Sequence, residues 1–173
     1  MQPETKRSTL AEPILTELEQ EAQTTRKLLN IIPEDKLDWR PHPKAKSLGE
    51  LAVHIARLQG GVAELARTDQ SELPDFLRDP AAEGRAQILE LFEDSLKKAK
   101  EIVAATDDGQ ALADWTLTRG DRTIMTMPRI AVWRSILLNH NYHHRGQLAT
   151  YLRQLDVPLP SIYGPSADDN PFA

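Results

Sequence analysis

The sequence contains no cysteine, only 8 glycines among 173 residues, and 5% aromatic residues. The absence of cysteine excludes disulfides, thiolate metal ligands and a cysteine nucleophile, and it fits a reducing cytoplasm. With so few aromatic side chains, the core must consist mainly of Leu, Ile, Val and Ala. The scarcity of glycine and of alternating β-branched residues favours helices over strands.

Long hydrophobic runs and basic clusters are also missing. No apolar run approaches the length of a membrane span, and residues 1–8 lack the apolar segment of a signal peptide. The net charge is −5, which argues against nucleic acid or an anionic membrane as a partner. The length suits one domain with a substantial core. We therefore expect a cytoplasmic, mostly helical protein that forms a single domain over residues 1–173.

Apolar residues recur at helical spacing in four segments of the chain. This pattern predicts helices over about residues 10–31, 47–67, 80–106 and 128–156. Pro33 ends the first helix, and Ser47 with Glu50 has the spacing of a capping box for the second. Asp79 followed by Pro80 is typical of an N-cap and a first helical position, which predicts the start of the third helix.

A short segment before the last helix has the pattern of a β-hairpin. Residues 115–118 and 122–126 suit two short strands, and Gly120 lies in the tight turn between them. Pro128 then opens the last helix. Four long helices in this length of chain predict an all-α, up-down four-helix bundle with a small β-hairpin-like excursion before the last helix.

Three of the five histidines lie between residues 140 and 144. A helix turns by about 100° per residue, so His140 and His144, four residues apart, share one face. His144 lies about 40° from His140, in the middle of the apolar face, whereas His143 lies about 60° away on the other side. The apolar face itself is formed by Ile130, Trp133, Leu137, Leu148, Tyr151 and Leu155.

His54 faces inward from a different helix, because it falls among the apolar positions of the second helix. Neutral imidazole is the commonest protein ligand for a transition metal. Three inward histidines from two helices, His54, His140 and His144, therefore suit a metal site with open coordination positions. Alternatively, these histidines are hydrogen-bonded core residues without a metal. His42, between two prolines, is expected to be a solvent-exposed or structural residue.

The opposite face of the last helix is also partly apolar. A helix buried on two sides is either central in its own bundle or part of a subunit interface, and the sequence leaves both open. The residues on this second face are Ala131, Leu138, Tyr142, Ala149 and Leu152.

Two stretches resemble a known family. The run His-Asn-Tyr-His-His-Arg-Gly-Gln-Leu at residues 140–148, with Tyr-Leu-Arg at 151–153 and Pro-Ser-Ile-Tyr-Gly-Pro at 160–165, is similar to the C-terminal signature of the DinB-like proteins. Leu-Asp-Trp-Arg-Pro at 37–41 and the run at 47–55 resemble the entry to that family's second helix. The resemblance covers most of residues 33–165. Its departures are Lys46, where an aromatic residue is common, and the extra imidazole of His143, which leaves a ligand swap open.

The resemblance implies a small four-helix bundle with one divalent metal ion, most often nickel or zinc, held by three histidines. These correspond here to His54, His140 and His144. It also implies a homodimer. Related members transfer low-molecular-weight thiols such as bacillithiol, mycothiol or glutathione to electrophiles, or use them in isomerisation, and many others have no assigned reaction.

The expected function is a metal-dependent enzyme that activates a low-molecular-weight thiol or water at the three histidines and acts on a small-molecule substrate. Either a thiol S-transferase-like or a hydrolase-like reaction fits this site. Because the chain lacks cysteine, a thiol must be supplied from outside as a cosubstrate. The alternative is a non-catalytic, stress-related binding or scaffold protein with a structural metal. Arg145, Asn139 and Gln147 either assist or are structural, and Gln147 lies nearest in phase to the histidines.

Overall fold

The computed structural model describes residues 10–74 and 79–172. None of the helices in these ranges is long and apolar enough to span a membrane. The elements follow in chain order as α1 (Ala11–Asn30), α2 (Leu48–Leu65), β1 (Gln70–Glu72), α3 (Arg85–Ala105), α4 (Asp108–Leu112), β2 (Asp114–Arg119) and β3 (Arg122–Pro128). The last helix is a continuous run of α5 (Arg129–Val132), a π-helical segment (Trp133–Leu138) and α6 (Asn139–Gln154).

The predicted four-helix bundle is confirmed, and it consists of α1, α2, α3 and the last helix. Helices α2 and α3 pack closely, and the amide of Gly60 donates to Ser95 Oγ at 2.8 Å. A Cβ atom at residue 60 would lie 2.8 Å from the Ser95 carbonyl oxygen, so glycine permits this approach. Further along the same pair, Lys98 contacts Glu64. Residue numbers rise together on both helices, so α2 and α3 are parallel.

The directions of the helices do not alternate throughout. The ion pairs Arg26–Glu93 and Glu19–Lys100 show that α1 runs antiparallel to α3. The last helix runs antiparallel to α2, because its first residue, Arg129, reaches Ala66 at the end of α2, whereas His140 contacts His54 near the start. The bundle is therefore up-down-down-up.

The connection between α2 and α3 explains this order. A Cβ atom at Gly49 would lie 2.8 Å from Cβ of Ala82, so the chain has returned to the beginning of α2 before α3 starts. The connection is long enough to run back along the bundle, and α3 then repeats the direction of α2. Helical periodicity does not encode this choice, because it reports which face is buried and not which way the helix points.

The predicted hairpin is confirmed, with β2 and β3 antiparallel and Gly120 in the turn at a φ of +55°. Strand β1, which the sequence pattern did not predict, pairs parallel with β2. Trp115 packs beneath this sheet and donates from Nε1 to the Leu65 carbonyl at 2.9 Å. The sheet is thereby held against the end of α2. Helix α4, begun by a capping box between Asp107 and Gln110, was also not predicted.

The prediction for the start of the third helix is wrong. Helix α3 begins at Arg85, after Gly84 with a φ of +154°, and not at residue 80. Asp79 does not cap it, because its carboxylate contacts His54 and Lys46 instead. The local pattern assigned the Asp79 carboxylate to the helix N-terminus, but in the folded chain it forms these tertiary contacts instead. The Ser47–Glu50 capping box of α2 is confirmed.

Both faces of the last helix contribute to the core of this chain. Leu138 and Leu152, on the second apolar face, are fully buried without any partner chain, so packing within the chain accounts for them. Ile130 and Leu155, predicted inward, are only partly buried. The π-helical segment contributes to this difference for Ile130, because a π-helical turn holds more residues than an α-helical turn and shifts the phase of the residues before it.

Candidate metal centre

The structure brings His54, His140 and His144 together. His54 projects from α2, and His140 and His144 project from adjacent turns of α6 toward it. The ring centroids of His54 and His144 are 4.6 Å apart, and those of His140 and His144 are 4.5 Å apart. One nitrogen from each of the three rings lies within 4.8 Å of the others. The helical phases predicted the inward direction of each ring, and the packing of α2 against α6 brings residues 86 positions apart together.

Asp79 orients the ring of His54. Its Oδ2 lies 2.9 Å from His54 Nδ1, and Lys46 Nζ lies 2.9 Å from the same oxygen. A carboxylate only accepts, so Nδ1 carries the proton and donates it, which leaves the lone pair of Nε2 free for the centre. Burial raises the pKa of Asp79, but hydrogen bonds from His54 and Lys46 outweigh it and hold this pKa below its usual value. The sequence pattern around Asp79 did not indicate this role.

Gln147 plays the matching role for His144. Its Oε1 accepts from His144 Nδ1 at 2.7 Å, so the lone pair of His144 is on Nε2. That lone pair accepts a hydrogen bond at 2.7 Å from Nε2–H of His140. The i to i+3 spacing of Gln147 and His144 on α6 makes this contact local, which is why helical phase identified Gln147 and could not identify Asp79.

The surroundings favour neutral imidazoles. Burial lowers the pKa of His144 to about 4, with further contributions from the nearby His54, His140 and His143. Burial and the rings of His54 and His143 also lower the pKa of His140. His140 and His144 are therefore neutral at pH 7, which is the state that binds a metal ion. A donor set of three imidazole nitrogens, with the second nitrogen of two of the rings hydrogen-bonded, fits a borderline-soft divalent ion such as zinc or nickel.

The other two histidines lie outside the group. His143 is exposed, with its ring centroid 4.9 Å from that of His144. His42 is exposed in the Pro-rich loop, where its Nδ1 accepts from the Lys44 amide. Among the described residues, no fourth His, Asp or Glu joins the three converging nitrogens. The arrangement therefore leaves room for a water or a substrate atom as a further ligand.

A cavity of about 550 Å³ lies beside the histidines. His54 and His140 form part of its wall, and most of the remaining wall is apolar and comes from α2, the hairpin and the π-helical segment. The size falls within the range of roughly 300–1,000 Å³ that is typical of small-molecule sites. The converging nitrogens are thus accessible from an apolar cleft.

Comparisons with known proteins agree with this architecture. The model of the DinB family matches residues 1–170. An uncharacterized protein of Bacillus subtilis, YrdA, is 27% identical over 159 residues, which cover 86% of this chain and 85% of YrdA.

Solved structures with the same fold are more distant in sequence. A DinB-like protein from Bacillus cereus superposes with a TM-score of 0.70 at 20% identity, covering 88% of this chain and 97% of that one. YfiT from Bacillus subtilis, described as a probable metal-dependent hydrolase with an unusual four-helix bundle topology, superposes with a TM-score of 0.65 at 13% identity and covers 91% of this chain and 94% of its own.

Proposed function

The chain belongs to the DinB family, and from that premise we propose that it is a metal-dependent enzyme whose divalent ion, nickel or zinc, is held by His54, His140 and His144. One observation carries the proposal: three imidazole nitrogens from two helices converge within 4.8 Å. Two of these nitrogens, Nε2 of His140 and Nε2 of His144, share one hydrogen bond at 2.7 Å. Coordination by a common metal ion would replace that hydrogen bond and engage all three rings.

The reaction we propose is attack by water or by a low-molecular-weight thiol on a small electrophilic substrate. A divalent ion at three histidines supplies Lewis acidity and lowers the pKa of water or of a thiol. The chain has no cysteine, so any thiol comes from outside. The description of YfiT as a probable metal-dependent hydrolase supports the hydrolytic form, and the resemblance of the C-terminal signature supports thiol transfer.

The residues of this chain orient the ligands and exclude water. Asp79 and Gln147 hold the Nδ1 protons of His54 and His144, so both rings present Nε2 to the centre. The apolar wall of the adjacent cleft keeps bulk water from most of the substrate, which strengthens electrostatic interactions at the reacting group.

A non-catalytic scaffold with a structural metal is the competing function. Structural zinc sites are normally closed by four protein ligands, whereas this group contains three among the described residues. The cleft that reaches His54 and His140 also has no purpose in a closed structural site. Both features favour the enzyme.

The first test is the metal content of protein purified without a histidine tag. We expect about one equivalent of divalent metal in the wild type, as one site requires, and almost none in His144→Ala. His143→Ala is the matched control, because this neighbouring ring is exposed and outside the group, and it should retain the metal. A wild type without metal, or equal loss in both variants, would contradict the proposed centre.

A second measurement separates enzyme from scaffold. Metal-loaded protein is assayed for hydrolysis of activated esters and for conjugation of bacillithiol, mycothiol and glutathione to a model electrophile. We expect turnover in at least one assay and its loss in His144→Ala. Metal binding with no rate above that of His144→Ala in any assay would favour the scaffold.

A further inference from the structure

The hairpin contains a β-bulge at Ile124. Leu117 pairs with Met125, but the next residue of β2, Thr118, pairs with Thr123, so Ile124 has no partner across the ladder. In a regular strand, neighbouring side chains point to opposite faces of the sheet. A bulge breaks this alternation and redirects a side chain.

The redirected side chain faces the cleft. Ile124 and Met125 are neighbours, yet both line the cavity beside the histidines, together with Leu117. Across the cleft, α2 contributes Leu58 and Val62. Ile124 is 38% exposed, although a large aliphatic side chain normally gains by burial. An apolar side chain that a bulge keeps exposed to the cleft is suited to contact a ligand.

The charges around the cleft are already paired. Arg57 NH1 lies 3.6 Å from Asp79 Oδ1, and Lys98 Nζ lies 3.1 Å from Glu64 Oε2. These four are the Arg, Lys, Asp and Glu residues of the lining in the described part of the chain. An anionic ligand body would therefore compete with an existing carboxylate for each cation, whereas an uncharged apolar body leaves both pairs intact.

We propose that this cleft binds the uncharged, apolar body of the substrate and that Ile124 is a specificity-determining residue. The apolar body lies between α2 and the hairpin, and its reactive group faces His54 and His140 at the wall. The size of the cavity, about 550 Å³, suits one small molecule. The proposal rests on the proposed function, because it assigns the substrate class of the same centre.

The test uses an uncharged fluorescent probe, N-phenyl-1-naphthylamine, on the full chain in its metal-free form. We expect saturable binding to the wild type, near-equal affinity for Ile124→Leu, and at least about tenfold weaker binding to Ile124→Asp, because a carboxylate in an apolar wall must be desolvated.

Leu112→Asp is the matched control: Leu112 is also an exposed aliphatic residue, at 59%, but it does not line the cleft. Its affinity should equal that of the wild type. The anionic analogue 8-anilinonaphthalene-1-sulfonate should bind more weakly.

Thermal unfolding of each variant shows whether it is folded. Because Ile124 is exposed, we expect its substitution to change the melting temperature little. Equal binding to wild type and Ile124→Asp, equal loss in Leu112→Asp, or tighter binding of the sulfonate would overturn the proposal. So would a wild-type dimer that Ile124→Asp converts to monomer in light scattering, because the cleft would then be an interface between copies.

The location relative to the histidines is tested with Ni²⁺. Paramagnetic Ni²⁺ should quench the bound probe in the wild type but not in His144→Ala, and Zn²⁺ should quench neither. Probe binding with no metal uptake by the wild type contradicts the proposed function and leaves the apolar site in place. Metal uptake without probe binding contradicts only the assignment of the cleft.

Discussion

The two faces of α6 use buried polar side chains in opposite ways. On the face toward α1, the guanidinium of Arg145 pairs with Glu21 at 2.5 Å and also donates to Thr25 and Tyr163. The ring of Tyr142 lies 5.1 Å from this guanidinium. Burial, together with the nearby carboxylate of Glu17, raises the pKa of Tyr142, so its hydroxyl stays protonated and donates to Glu17.

On the face toward α2, the three imidazoles direct nitrogens toward one another, and Nε2 of His140 and of His144 share a hydrogen bond. Asp79 and Gln147 occupy one nitrogen each of His54 and His144, while the other nitrogens converge on one point with His140. The difference shows how buried polar side chains that stabilise the fold can be distinguished from those that bind a ligand, even on one helix. A buried cation paired with a carboxylate and further acceptors holds helices together, whereas converging imidazole nitrogens indicate a place for a ligand.

The largest expected effect is on the α1 side. Arg145→Ala removes the ion-pair partner of the largely buried Glu21 and leaves it the hydroxyl of Tyr163 as a donor, so the free energy of unfolding should fall by about 3 kcal/mol. Arg134→Ala is the control, because its pair with Glu17 is exposed, and it should lose less than about 1 kcal/mol. Denaturant unfolding measures both. A loss in Arg145→Ala no larger than in the control would show that the two faces do not differ in this way.

The next effect is on the α2 side and depends on metal. At a free metal concentration of 100 times the Kd, the wild type should gain about 2.7 kcal/mol of stability. His144→Ala and His140→Ala should gain almost nothing, because each lacks one of the three converging nitrogens. Unfolding with Zn²⁺ or with a chelator measures the gain. Equal stabilisation of all three proteins would place metal binding elsewhere.

A smaller effect is expected for the residue that orients His54. Asp79→Ala should weaken metal affinity about 10–100-fold, because Nδ1 of His54 loses its acceptor, and Asp79→Asn should recover part of it by accepting the same proton. The control is Asp69→Ala, since Asp69 pairs with Arg129 at the other end of α2. Competition titration against a chromophoric chelator gives the affinities. An unchanged affinity in Asp79→Ala would assign Asp79 a purely structural role.

The smallest effect concerns pH. The pKa values of His140 and His144 in the folded chain lie below the ordinary 6.5, with that of His144 near 4. As pH falls below 6.5, the unfolded chain therefore binds protons first, and the stability of the metal-free protein should decline until about pH 4. His144→Ala should show a shallower decline in denaturant unfolding across this window. A wild-type stability that rises as pH falls would contradict the lowered pKa values.

Much of this arrangement follows from local sequence patterns. The helical phase of His140 and His144 against Leu148 and Tyr151 predicted which imidazoles face inward, and the same phase separated the exposed His143. The position of Gln147, three residues after His144, was visible for the same reason. Such inferences succeed because neighbours on one helix have a fixed relative geometry.

Other parts of the site depend on contacts between distant segments. Asp79 has the local pattern of a helix N-cap, yet it orients His54 from 25 positions away. The bulge at Ile124 depends on how β3 pairs with β2, and no residue pattern marked it. The up-down-down-up order likewise depends on where the connection after α2 returns.

The sequence by itself determined the helical class and the inward direction of His54, His140 and His144, since backbone periodicity sets which side chains share a face. It also determined the hairpin through its turn residues, and the DinB resemblance through its motifs. Only the tertiary structure decided that the three rings meet, that Asp79 and Gln147 orient two of them, and that an apolar cleft with Ile124 on its wall lies beside them. The physical reason is that faces and caps are local properties of a few turns, whereas a binding site is formed where separate elements pack together.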